Sequence, residues 1–79
     1  MSEVRVPNEP VRRAFERSGL TIGELANRVY GETNSTTRAG RQIGLYAEGG
    51  TNRMRETMPA TLACQFLEAL GLDPVDVGL

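Results

Sequence analysis

The 79-residue chain contains no His, no Lys and no Trp, and it has a single Cys. One Cys cannot form a disulfide framework, and without His the usual ligand sets of zinc sites are missing. The absence of His and Lys also removes the side chains that most often act as general bases or form Schiff bases. The sequence therefore predicts no catalytic residues, no metal site, no cofactor and no enzymatic activity.

Long apolar runs are also missing. No stretch approaches the roughly 18 to 20 apolar residues that span a membrane, and the start, MSEVRVPNEP, lacks the apolar segment of a secretory signal. We therefore expect a soluble protein without a membrane partner, located in the cytoplasm with the nucleoid. The length predicts one helical domain, residues 8–79, preceded by a flexible arm, residues 1–7.

The net charge is −1, although domains that bind nucleic acids are usually basic. The charges are distributed unevenly along the chain. Residues 1–55 hold nine Arg against six acidic residues, which gives +3, whereas residues 56–79 hold four acidic residues and no basic one, which gives −4. This asymmetry predicts a basic side and an acidic side.

Residues 21–49 predict two amphipathic helices joined by a polar turn. In TIGELANRVY the apolar side chains recur at helical spacing, and Glu24 and Arg28 fall on the other side. Thr21 and Glu24 have the spacing of a capping box, in which each side chain accepts from a free backbone N–H at the other residue. Gly31 is expected to end this helix.

The run TRAGRQIGLYAEG predicts a third helix that continues to Gly49 and Gly50. Its inner face comprises Ala39, Ile43, Tyr46 and Ala47, and its outer face comprises Thr37, Arg38, Arg41, Leu45 and Glu48. Gly40 within this helix is unfavourable relative to Ala, so it indicates close approach, either to the second helix or to a DNA backbone.

The flanking segments predict further helices. Asn8 is expected to cap a first helix that ends at Gly19, and Pro59 to occupy the first turn of a fourth helix that ends at Gly71. A short helical turn begins at Asp73. We expect Phe15, Leu25, Ile43 and Leu70 to be buried together in one small core.

The chain resembles the Cro and lambda-repressor-like helix-turn-helix family in three runs: GLTIGELANRV, QIGLYAEGG and TLACQFLEALGLDPVDVG. The similarity covers Val11 to Gly78, and its most recognisable parts are the GLTxxELA and ALGLDP patterns. The resemblance implies a compact, all-α, five-helix domain of lambda-repressor type in which helices 2 and 3 form the helix-turn-helix.

Three departures from the family pattern affect the expected DNA contacts. Gly31 to Thr36 make the turn longer than the family's usual one. Phe15 and Ala47 stand where the family often has an Arg and a Glu, so apolar packing would replace a buried ion pair. Ile22 stands where many relatives carry a Gln that contacts the DNA backbone.

The leading hypothesis is a sequence-specific double-stranded DNA-binding protein of repressor or Cro type, a transcriptional regulator whose third helix enters the major groove. Arg38 and Arg41 carry donors for guanine or phosphates, Gln42 can pair with adenine, and a Leu can contact a thymine methyl. Arginines in the loop after the helix would contact phosphates. The candidate DNA-binding residues are Thr37, Arg38, Arg41, Gln42, Leu45, Arg53 and Arg55.

The alternative is a small helical protein-interaction module, such as an antirepressor, an antitoxin or a phage-encoded inhibitor of a host protein. It would use the same helix face to bind a protein. Salt dependence distinguishes the two, because DNA binding through several arginines weakens steeply as salt rises. Members of the family usually bind two half-sites as a symmetric pair, so we expect a homodimer at least on DNA.

Overall fold

A computed structural model describes residues 3–31, 36–50 and 52–79. In chain order the elements are strand β1 (Arg5–Pro7), helices α1 (Glu9–Ser18), α2 (Ile22–Tyr30) and α3 (Thr36–Gln42), a 3₁₀ turn (Glu48–Gly50), strand β2 (Thr57–Pro59), helix α4 (Ala60–Ala69) and a C-terminal 3₁₀ helix (Pro74–Val77). Within the polar turn between α2 and α3, the expected caps Asn34 and Ser35 lie outside the described residues.

The expectation of a five-helix, all-α domain is wrong. The described residues form four α-helices and a two-stranded antiparallel sheet, and the last expected helix is a 3₁₀ helix of four residues. In the sheet Val6 pairs with Met58, and each of these residues precedes a proline. Proline disfavours the helical conformation in the residue before it, which favours an extended chain in both segments.

Strand β1 lies within the segment that the sequence assigns to a flexible arm. Its Arg5 side chain is bound to β2, because Nε donates to the Thr57 hydroxyl at 2.9 Å and Nη2 donates to the Thr57 carbonyl at 3.0 Å. On the other strand, Met58 is fully buried. Residues 5–7 are therefore part of the folded domain.

The core lies where α1, α2 and α4 meet the inner side of α3. Two of the four residues expected in it, Leu25 and Ile43, are fully buried, whereas Phe15 and Leu70 are partly buried at its margin. The buried apolar residues are Val11, Ala14, Leu25, Ala26, Ala39, Ile43, Met58, Ala63, Phe66 and Leu67. This packing orients α3 with one face inward.

Local signals for helix ends are confirmed at several positions. Thr21 and Glu24 form the expected capping box at the start of α2. Gly19 and Gly31 follow α1 and α2 with φ of 76° and 73°, a left-handed conformation that costs glycine little. These signals depend on residues three or four positions apart, so the sequence alone reveals them.

Helix α3 ends earlier than the sequence predicts. It stops at Gln42, because Gly44 adopts φ of 82°. The Leu45 N–H donates to the Gly40 carbonyl at 2.8 Å, and the Gly44 N–H donates to the Arg41 carbonyl at 3.2 Å. This pair of bonds is a Schellman motif, which terminates a helix at a left-handed glycine.

The close approach expected at Gly40 is made by a side chain of the same chain. A Cβ atom at this position would overlap the ring of Tyr46, which lies after the end of α3. Tyr46 is 39% exposed, so its ring covers Gly40 from the solvent side. Gly40 therefore serves packing within the domain.

In the ranges that the structure describes, every helix is too short or too polar to cross a membrane.

Candidate nucleic-acid interface

The outer face of α3 carries three exposed side chains: Thr37, Arg38 and Arg41. The inner face is anchored by Ala39, which is fully buried, and by Ile43 just beyond the helix end. Since α3 packs chiefly against α2, this burial orients the polar residues outward. We call Thr37, Arg38 and Arg41 the α3 face.

The arginines of the α3 face differ in their electrostatic surroundings from three other arginines of the chain. Arg5, Arg13 and Arg55 form ion pairs with Glu3, Glu9 and Glu48 respectively. Among residues 3–31, 36–50 and 52–79, neither Arg38 nor Arg41 has an ion-pair partner. Their charges are therefore available for an anionic ligand.

Arg38 is held in place by an aromatic ring. Its guanidinium carbon lies 5.2 Å from the centroid of the Tyr30 ring, within the range of cation–π attraction. The Tyr30 ring in turn meets Phe66 edge to face, with centroids 6.1 Å apart. A chain of contacts thus connects the core to the α3 face.

The hydroxyl of Tyr30 is buried and has no hydrogen-bond partner within the described structure. Burial raises the pKa of Tyr30 above its usual value, and the nearby charge of Arg38 lowers it in part. The neutral phenol is therefore favoured in the folded state.

We expect Tyr30→Phe to keep both ring contacts and to raise the free energy of unfolding by about 1 kcal/mol, because it removes an unsatisfied buried hydroxyl. The pKa of Tyr30 is raised on folding, so ionisation favours the unfolded state. The parent therefore keeps its full stability below the unfolded pKa of about 10 and loses stability as pH rises through the folded pKa. The variant should accordingly lose less stability than the parent above about pH 10. Urea unfolding at neutral and alkaline pH measures both effects.

Tyr46→Phe provides the matched control, since Tyr46 is partly exposed and its hydroxyl is not a buried group that lacks a hydrogen-bond partner. A marked loss of stability in Tyr30→Phe at neutral pH would show that the hydroxyl has a partner.

Gln42, the last residue of α3, is held by the loop that follows. Arg55 Nη1 donates to the Gln42 amide oxygen at 3.4 Å, and Arg55 Nη2 donates to the Glu48 carboxylate at 2.5 Å. The side chain of Arg55 is only 24% exposed. Arg55 therefore has a role within the fold, and the structure does not place it as a free phosphate contact.

Two side chains from the start of α1 bind the C-terminal end of α3. Asn8 is 1% exposed, and its amide nitrogen donates to the carbonyls of Gln42 at 3.1 Å and Arg55 at 2.8 Å. Arg12 Nη1 donates to the Ile43 carbonyl at 3.3 Å. These bonds satisfy carbonyls that the end of a helix leaves free. We call Asn8 and Arg12 the α3 clamp.

The clamp accounts for two differences from the sequence-based expectations: Asn8 does not cap α1 with its side chain, and α3 ends before Gly44. Asn8 occupies the N-cap position of α1 but makes no side-chain capping bond there, because its amide is bound to the α3 end and the loop. Gly44 lies against the clamp: a Cβ on it would be 2.9 Å from the Arg55 carbonyl oxygen and 3.1 Å from the Asn8 amide nitrogen. Only glycine fits both this space and the positive φ.

The remaining predicted site residues lie off the α3 face. Leu45 follows the end of α3 and packs, half-buried, against the core, so it is not placed to contact a thymine methyl. Arg53 is exposed in the loop after the 3₁₀ turn, where its carbonyl accepts from the Glu48 N–H at 3.0 Å. The structure thus brings together Thr37, Arg38, Arg41 and Gln42 on α3. Leu45 and Arg53 lie away from the α3 face, and Arg55 contacts only Gln42 of this group.

Sequence reasoning missed Tyr30 and the clamp residues as supports of this face. Tyr30 is the last residue of a predicted helix, and nothing in its spacing indicates contact with Arg38. The end of α3 did have a signal: Gly44-Leu45 repeats the Gly71-Leu72 pattern, where a second Schellman motif ends α4. Across the described ranges, no group of three His, Cys, Asp or Glu is arranged to hold a metal ion.

A scan against protein-family models and searches of curated proteins and of solved structures found no match to this chain. Function must therefore be argued from the site.

Proposed function

We propose that this protein binds double-stranded DNA sequence-specifically through the α3 face and acts as a transcriptional regulator of repressor type. The observation that supports the proposal most strongly is the pair Arg38 and Arg41, which are exposed on one helix face and have no ion-pair partner in the described part of the chain. Guanidinium groups recognise both phosphates and the guanine edge in the major groove.

The packing of α3 supports the same function. A helix reads bases only if its backbone is held firmly relative to the rest of the domain. Here Ala39 and Ile43 anchor its inner side, and the α3 clamp binds its C-terminal end. Thr37 adds a hydroxyl that can contact a phosphate or a base edge. The resemblance in GLTIGELANRV points to the same class of partner.

The charge distribution supports binding in one orientation. The basic part of the sequence contains α3, and the acidic residues of the final segment, such as Glu68 and Asp76, lie on α4 and the C-terminal 3₁₀ helix. Approach of these carboxylates to DNA is unfavourable, so the distribution of charge along the chain favours contact through α3.

Arg41→Ala tests the proposal. We expect it to weaken binding to the preferred site by about 1–3 kcal/mol and to relax discrimination at one or two base pairs, as loss of an arginine–guanine contact does. The preferred site is obtained by selection from a random DNA pool. Binding to that site and to scrambled DNA is then measured at two salt concentrations.

Arg17→Ala is the matched control, because it removes the same charge from an exposed position on α1 beside Leu70 and Asp76. It should leave site preference unchanged. A selected site made of two repeated half-sites would support the proposed homodimer on DNA. If the parent protein enriches no sequence even at low salt, DNA binding is excluded, and the interaction-module alternative remains.

A further inference from the structure

The side-chain amide of Gln42 is held in one orientation by Arg55. The Nη1 atom of Arg55 donates to the Gln42 amide oxygen at 3.4 Å. Arg55 is itself fixed, since its Nη2 atom is bound to the Glu48 carboxylate and its Nε atom is buried. The contact therefore comes from a guanidinium that is anchored within the domain.

The chemistry of the guanidinium determines which end of the amide it binds. Arginine has only hydrogen-bond donors, so its partner on Gln42 must be the amide oxygen. The amide nitrogen is then turned away from Arg55, to the other side of the amide carbon. Within residues 3–31, 36–50 and 52–79 this nitrogen has no hydrogen-bond partner, so its two N–H donors remain available.

The backbone of Gln42 is fixed as well. The Asn8 amide donates to the carbonyl of Gln42 and to that of Arg55, which links the backbones of the two residues. Gln42 lies four residues after Arg38 in the same helix, and residues at this spacing are neighbours on one side of a helix. Gln42 thus lies beside the α3 face, and Arg55 sets the orientation of its side-chain amide.

We propose that Arg55 is a positioning residue that makes Gln42 a donor-only contact, and that Gln42 consequently selects guanine. The inference depends on the proposed DNA-binding function. A freely rotating Gln pairs with adenine through one donor and one acceptor. An amide whose oxygen is bound to Arg55 presents donors, which match the two acceptors N7 and O6 of guanine.

The first experiment compares the DNA selected by the parent protein with that selected by Gln42→Ala. The position at which this variant loses discrimination is the base that Gln42 contacts, and the loss should be about tenfold. We expect guanine at that position in the parent's site. Adenine there would overturn the inference without any need to alter Arg55.

The second experiment frees the amide. Arg55→Met removes the donor, so preference at the same position should shift from guanine toward adenine by about tenfold. In a Gln42→Ala background the same change should produce no shift. Arg55→Lys should retain guanine, because an ammonium group also only donates. Unchanged preference in folded Arg55→Met would overturn the inference.

Glu48→Gln is the control for a merely structural role of Arg55. It weakens the Arg55–Glu48 ion pair but leaves the donor to Gln42 in place, so guanine should still be preferred. A shift toward adenine in Glu48→Gln equal to that of Arg55→Met would contradict specific positioning. Circular dichroism and the thermal midpoint establish that each variant is folded.

If Arg55→Met does not fold, Gln42→Glu provides the test, because a carboxylate keeps a partner for Arg55 but presents only acceptors. Preference should then move from guanine to cytosine, whose N4 group donates. Retained guanine would overturn the inference. This outcome differs from failure of the proposed function. If the protein does not bind DNA, the parent enriches no sequence. If only the inference about Gln42 fails, the parent enriches a site that lacks guanine at the position contacted by Gln42.

Discussion

Replacing Leu25 by alanine should remove a large part of the protein's free energy of unfolding. Leu25 is fully buried on α2 and belongs to the core that also contains Ile43 and Phe66. Truncation of a buried Leu costs about 2–5 kcal/mol, because it removes apolar burial and leaves a cavity. Small domains have total stabilities of roughly 5–15 kcal/mol, and a chain of this length has a small core.

Urea unfolding followed by circular dichroism measures this effect. Leu25→Met conserves volume and should cost less than about 1.5 kcal/mol. Val75→Ala is the exposed control, since Val75 is 82% exposed, and it should change stability by no more than about 0.5 kcal/mol. Equal stability of Leu25→Ala and the parent would contradict the assignment of the buried face of α2.

The second large effect is expected at Asn8. Asn8→Ala removes two hydrogen bonds and leaves the carbonyls of Gln42 and Arg55 without their donor. Because the site is 1% exposed, these losses should together cost about 2–4 kcal/mol. They should also loosen the end of α3, which amide hydrogen exchange at residues 42–45 would detect.

Asn8→Asp separates the clamp from ordinary helix capping. Asp is as good an N-cap as Asn, so a capping role predicts little change. In the clamp, the Asp side chain would place a carboxylate oxygen against two carbonyl oxygens, and we expect a loss at least as large as that of Asn8→Ala. Asn27→Ala is the control, because Asn27 is exposed on α2. A stable Asn8→Asp protein would refute the clamp.

Helix starts and stops could be predicted where the signal lies within one turn. Thr21 and Glu24 satisfy each other's backbone donors across three residues, and Gly31 ends α2 by its own conformational freedom. The same kind of signal was present at Gly44-Leu45, but the apolar spacing of Tyr46 and Ala47 suggested a longer helix. The helical spacing of these apolar residues therefore predicts a helix that runs past Gly44, where α3 has already ended.

The sheet could not be predicted in this way. Strands β1 and β2 have three residues each and are about 50 residues apart in the chain, so neither shows a period of its own. The pairing depends on the burial of Met58 and on the bonds from Arg5 to Thr57. For a strand this short, long-range contacts decide whether it forms.

The candidate site also combines features that the sequence predicts with features that depend on tertiary contacts. The amphipathic pattern of α3 alone indicated that Arg38 and Arg41 point outward, because helical geometry requires it once Ala39 and Ile43 are buried. Only the tertiary structure decided that Arg38 lies over Tyr30, that Arg55 is paired with Glu48 and Gln42, and that Leu45 faces the core. Residue type determines which partners an arginine can accept, but the partner that it meets is set by elements that are distant in sequence and adjacent in the fold.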